Sequence, residues 1–217
     1  MTKLLKKELK LTASPLSFLF IAFAFMALLP GYPILLGAFF ICLGIFQTFQ
    51  LLRDTNDILF SALLPVAKSD VVKSKYAFCV FIELCGFAVM VILTLVRMTL
   101  LKDSAVYRAN ALMTANLVYL GFALVVFGCF NAVFLRGFFK TAYYYGKPFI
   151  WFIVVALIVI GIAEALHHIP GFEAVNSFGF EHIPLQLSAL LGGMMLFAAL
   201  TLLSLKASVN NFEKIDL

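Results

Sequence analysis

Charge is scarce in this chain. Asp, Glu, Lys and Arg together supply 12% of the 217 residues, against about 25% in soluble domains. With 64% of the chain hydrophobic, a water-covered fold is excluded, because a domain of this size keeps a large exposed shell that so few polar side chains cannot cover. Cysteine is sparse too. Cys42, Cys79, Cys85 and Cys129 all fall inside apolar runs, which suits small packing residues and argues against a disulfide or metal framework. Gly146-Lys147 is followed by Pro148 rather than Ser or Thr. A phosphate-binding loop is therefore missing, and ATP hydrolysis by this chain is not expected. No HExxH helix, GxSxG elbow or paired-cysteine zinc pattern occurs, so the usual signatures of a membrane enzyme are absent. Neither a cofactor nor a nucleic-acid partner is expected.

Long apolar runs are what the sequence has instead. A bilayer core about 30 Å thick needs about 20 residues of helix at a rise of about 1.5 Å per residue. Stretches at about 14–30, 33–52, 76–96, 110–135, 148–166 and 184–205 meet or approach that length. They are continuous and lack period-2 alternation, which predicts spanning helices rather than a barrel. The expected fold is all-α, a polytopic six-helix membrane domain covering residues 1–217, with no internal repeat. The first run is followed at once by Pro30-Gly31-Tyr32-Pro33 and the second run, without a small-residue cleavage site, so it is expected to be a retained span.

Residues 1–13 set Leu4, Leu5, Leu9 and Leu11 against Lys3, Lys6, Lys7 and Lys10, the pattern of a basic amphipathic helix lying in a membrane interface. With the N-terminus inside, 13 of the 16 Lys and Arg fall in cytoplasmic segments. Only Arg97, Lys102 and Arg108 fall outside, and the positive-inside rule then predicts that both termini are cytoplasmic. Tyr143, Tyr144, Tyr145 and Trp151 bracket Lys147-Pro148, as an aromatic belt at the inner headgroups would.

The outer loop 167–183 contains no Lys or Arg and, with its neighbour, gathers His167, His168, His182, Glu164, Glu173 and Glu181. These are metal-compatible side chains without helical spacing. A wet polar loop is the expected reading, with a pH-sensitive outer gate as a further possibility. Inside the spans, Gln47, Gln50, Glu83 and Asn131 sit at similar depth, in the inner third of the membrane. They either line a cargo vestibule open to the cytoplasm or act as interhelical hydrogen bonds that hold the bundle together. Ser188, Ala189, Gly192 and Gly193 allow close helix approach in the sixth span, within one copy or between two.

One stretch fits no span. Ile58 to Tyr76 follows the apolar turn Leu63-Leu64-Pro65-Val66 with Lys68, Asp70, Lys73 and Lys75. Asp54, Thr55, Asn56 or Asp57 can cap a short helix that Pro65 ends, and Ser69 or Asp70 can cap the next. Leu59, Phe60, Leu63 and Leu64 then cluster as an apolar knob that needs a partner surface or lipid headgroups.

The basic helix KLLKKELKL, two spans, and then LLPVAKSDVVKSKY opening the third resemble the permease subunit of type-2 ABC exporters of Gram-positive bacteria. Phenol-soluble modulin exporters and antibiotic-peptide resistance permeases are of this type. Leu64-Pro65-Val66, Lys68, Asp70, Val71, Lys75 and Tyr76 carry the resemblance. It implies that segment 53–75 forms a coupling helix docking a separate ATPase through Leu59, Phe60, Leu63, Leu64, Pro65, Lys68 and Asp70. ATP and Mg would then be held by that partner, in an assembly of two ATPases with two permeases, as a homodimer or with a close homologue, in the bacterial plasma membrane. The expected cargo is an amphipathic peptide, a lipid-like molecule or a hydrophobic drug. The alternatives are a proton-coupled secondary transporter using Glu83 and a membrane scaffold without transport.

Overall fold

The computed structural model describes residues 2–57, 60–61 and 65–215, and only helices, turns and loops occur among them. Helix α1 spans Thr2–Lys7 and continues as a π-helical stretch, Glu8–Thr12. Helix α2, Pro15–Leu19, runs on in 3₁₀ form over Phe20–Leu28. Then come α3 (Leu36–Asp54), α4 (Lys68–Thr99), the short α5 (Ala105–Arg108), α6 (Leu117–Phe138), α7 (Gly146–Leu166) and α8 (Ile183–Phe212). Five of these are long and apolar enough to cross a membrane, and six if the bent pair α1–α2 supplies one span. The protein is a multi-pass, all-α membrane protein.

Segments Leu4–Thr12 and Pro15–Leu28 meet at 93°, the angle an in-plane helix makes with a span. Pro15 starts α2, where a missing N–H costs nothing, and the Ser14 hydroxyl accepts from Leu16 N. The elbow is fastened to α3, because Ser14 N donates to Thr48 Oγ1 at 2.9 Å and Ser17 Oγ donates to Gly44 O at 2.7 Å. As pure α-helix, Pro15–Leu28 would rise about 21 Å. With Phe20–Leu28 in 3₁₀ form, at about 2.0 Å per residue, it reaches about 25 Å and comes close to spanning the core.

Helix α4 has 32 residues, about 48 Å of helix. It therefore begins well outside a core of about 30 Å. Its first residue is Lys68 and its cap is the extended Ala67, without a side-chain cap bond, so Ser69 and Asp70 lie inside the first turn instead of capping it. The expected fourth span shifts as well. Asn116 Oδ1 accepts from Val118 N and Tyr119 N, and this cap starts α6 at Leu117. Residues 110–116 are loop although they are largely apolar.

Helices α6 and α8 approach most closely at glycine. A Cβ on Gly121 would come within 2.6 Å of Ala189 O, and one on Gly193 would collide with the Gly121 backbone. Ala189 and Gly193 are thus used for packing inside this chain, whereas nothing lies within 4 Å of a Cβ built on Gly192. A phenylalanine cluster joins α3, α6 and α7. Phe46 stacks on Phe149 with centroids 3.7 Å apart, and Phe49 meets Phe134 edge-on at 5.1 Å.

At the end of the bundle reached by the C-terminus of α4, loops are tied to helices by two amides, one arginine and two glutamates bonded to backbone groups. Asn116 Nδ2 donates to Val175 O and Ser177 O, and Gln186 Nε2 donates to Gly179 O and Glu181 O. Arg97, 5% exposed, donates to Ala27 O at 2.7 Å and lies 3.7 Å over the Tyr107 ring. Glu164 accepts from Met113 N, Glu173 from Gly171 N, and His167 Nε2 lies 3.1 Å from Ala111 O. No cluster of three metal-compatible side chains forms among the described residues.

Candidate functional site

The segment after α3 is where backbone and charge chemistry concentrate. Thr55 Oγ1 donates back to Leu51 O at 2.9 Å, and Asn56 takes the left-handed conformation at φ 52°, a common way to end a helix. Asp57, Phe60 and Ser61 are helical. Leu59, Leu63 and Leu64 of the expected apolar knob lie outside the described residues. Phe60 is 59% exposed and Pro65 is exposed as well. Lys68 Nζ donates to Ile215 O at 2.6 Å, while Asp70 forms a partly exposed pair with Lys73 at 3.4 Å.

Beneath this surface four charges close on one another. Asp57 does not cap the helix; its carboxylate bridges Lys7 at 2.6 Å and Lys75 at 2.8 Å. Glu8 pairs with Lys75 and, at 3.6 Å, with Lys7. Lys7 Nζ also donates to Ser61 Oγ at 2.7 Å. Lys75 and Glu8 are almost completely shielded, at 0% and 2% exposure. Burial alone would raise the Asp57 pKa, but the charges of Lys75 and Lys7 and their hydrogen bonds outweigh it and hold the carboxyl below its usual range. Two cations face two anions, so the cluster is neutral as a whole and burial is tolerable only while it stays complete. It joins three segments: α1, the segment after α3, and the root of α4.

A second polar seam runs between α4, α6 and α8 within the spans. Tyr76 OH lies 2.8 Å from both Ser204 Oγ and Ser208 Oγ, and Ser204 Oγ donates to Asn131 O at 2.9 Å. Asn131 Nδ2 donates to Glu83 Oε2 and to Thr201 Oγ1, each at 3.0 Å. Asn131 lies in the π-helical stretch Phe130–Leu135, and Glu8 opens the π-helical stretch of α1. Such stretches recur at functional positions because they displace a backbone carbonyl from the regular ladder. Among the described residues, Glu83 Oε1 and Asn131 Oδ1 are buried without hydrogen-bond partners.

Of the four residues expected at one depth, the structure therefore brings Glu83 and Asn131 together, and both are fully buried. Gln47 and Gln50 are half-buried on α3, and no hydrogen bond joins their amides to the seam among the described residues. Sequence reasoning found Lys75 only as part of a motif and missed its partners. One signal was present: Glu8 is the lone acid in a helix of four lysines.

The chain matches no curated protein and no solved structure. A family described as "ABC-2 family transporter protein" matches residues 3–213, nearly the whole chain, including the basic first helix, the ion cluster and all the spans. The protein belongs to the ABC-2 transporter family, whose members are membrane permease subunits.

Proposed function

We propose that this chain is the permease subunit of an exporter for an amphipathic peptide, a lipid-like molecule or a hydrophobic drug, driven by a separate ATPase that holds ATP and Mg. On this reading it works as phenol-soluble modulin and antibiotic-peptide exporters do. The reading places the chain in a bacterial plasma membrane with both termini and the segment after α3 in the cytoplasm. Two copies, or one copy and a close homologue, work with two ATPases.

The observation that carries this reading is the four-charge cluster of Lys7, Glu8, Asp57 and Lys75. An ATPase seated on Phe60, Pro65, Lys68, Asp70 and the neighbouring leucines Leu59, Leu63 and Leu64 would push on a segment tied by ion pairs to α4. A helix of 32 residues is stiff enough to carry that displacement into the bundle. The seam of Tyr76, Glu83, Asn131 and Ser204 would then part, opening with Gln47 and Gln50 as a vestibule, and alternating exposure would follow. No residue of this chain performs covalent chemistry in the cycle.

Co-purification tests the docking. Phe60→Asp should release the ATPase while leaving the permease in the membrane; an ATPase still bound, with hydrolysis still stimulated by cargo, would defeat the assignment. The unpartnered Glu83 Oε1 favours a second reading, proton-coupled transport through Glu83. Export that survives vanadate would select it.

A further inference from the structure

Between the C-terminal ends of α3 and α6 and the start of α7 lies a cavity of about 750 Å³. Three cations, Arg53, Lys140 and Lys147, line it together with Tyr144, Tyr145 and Trp151, and no aspartate or glutamate does. None of the three cations forms a salt bridge among the described residues. Arg53 is held in place without being neutralised: it donates to Tyr143 OH and Tyr145 OH, each at 3.3 Å, and its guanidinium lies 4.7 Å over the Tyr143 ring. The ends of α6 and α7 pack closely in its lining, since a Cβ on Gly137 would come within 2.8 Å of Pro148 Cβ.

We infer that this cavity binds the headgroup of an anionic phospholipid. Its volume falls within the range of about 300–1,000 Å³ typical of small-molecule sites, and its charge calls for an anion. The aromatic residues place it at headgroup depth. What selects a lipid over a free phosphate is the surface leading away from it. Trp151, Val154, Ile158 and Ile162 recur along one face of α7 and are 57%, 43%, 56% and 54% exposed, an apolar track on which an acyl chain can lie. Basic pockets between spans, with apolar helix faces beneath them, are suited to acidic headgroups. The inference is independent of the cargo and of the ATPase.

Native mass spectrometry of the protein released from mixed phosphatidylglycerol and phosphatidylcholine nanodiscs tests it. The expected result is one phosphatidylglycerol retained per chain in preference to phosphatidylcholine. Lys140→Gln/Lys147→Gln should weaken that retention roughly 30-fold, and Arg53→Gln alone about fivefold. Lys206→Gln, exposed on α8, should leave it unchanged. All four positions are solvent-exposed, and an unchanged melting temperature in zwitterionic detergent verifies that each variant is folded. Equal retention of phosphatidylcholine would overturn the inference, as would undiminished phosphatidylglycerol in the double variant. So would displacement of the lipid by millimolar inorganic phosphate, which would indicate a simple anion site. A doubled protein mass without any lipid adduct would instead assign the cavity to contact between two copies.

Discussion

Where α1, the segment after α3 and the root of α4 meet, the bundle is closed by Lys7, Glu8, Asp57 and Lys75. At the far end of α4 the work is done by Asn116, Gln186 and Arg97, bonded mainly to backbone carbonyls. The first closure depends on charges carried by separate segments, and moving one segment exposes unpaired ions. The second binds loops to helix ends through buried amides and Arg97 that donate to backbone carbonyls. The first closure is thus held by ion pairs between segments, and the second by bonds from amides, Arg97 and Glu164 to backbone groups. On the proposed function, motion belongs to the end carrying Phe60 and rigidity to the other.

The largest break in this contrast should come from Lys75→Met, which leaves Glu8 and Asp57 sharing one lysine. Removing a partner from a buried ion cluster costs about 3–5 kcal/mol, to be read as a lowered unfolding midpoint of the purified permease and a loss of cargo-stimulated hydrolysis. Arg97→Met should cost less, about 1–3 kcal/mol for the orphaned Ala27 carbonyl, and should leave the coupling of hydrolysis to cargo intact in whatever protein remains folded.

Acid should separate the ends next. Asp57 is held below its usual range, so its contribution is fully present above the ordinary aspartate value of about 3.9 and is lost as pH falls through its lower folded value. Relative to the intrinsic rate at each pH, amide hydrogen exchange at the root of α4 should accelerate below about pH 4, while exchange at the Asn116-capped start of α6 should not follow it. Uniform acceleration at both would remove the distinction. The smallest effects should come from the exposed pairs. Lys73→Gln and Asp103→Asn, which break partners on the surface at either end, should each change stability by about 0.5 kcal/mol or less.

Much of this architecture could be read in the sequence because hydrocarbon imposes length and composition on each span. The boundaries of the second and fifth spans agree closely, and the positions of Glu83 and Asn131 at one depth followed from counting helical rise. The fourth span was misplaced at its start, since apolarity in residues 110–116 outweighed the capping power of Asn116 in a reading by composition. The break between α3 and α4 was expected from its polarity and Pro65. Its ionic underside was not, because Glu8 and Lys75 are separated by 67 positions and no local pattern encodes such a pairing. Asp57 offered the same ambiguity: an aspartate beside a helix start reads as a cap, and only the fold reveals two lysines converging on it.

The most direct measurement of the ionic link is cargo export by the assembled complex carrying Lys75→Glu, with and without Glu8→Lys. Lys75→Glu alone places three anions around one lysine, whereas the exchanged pair restores two of each sign. The account predicts that export is lost in the single variant and recovered in the exchanged one, with ATPase binding preserved in both. Export at the wild-type rate in Lys75→Glu would contradict it.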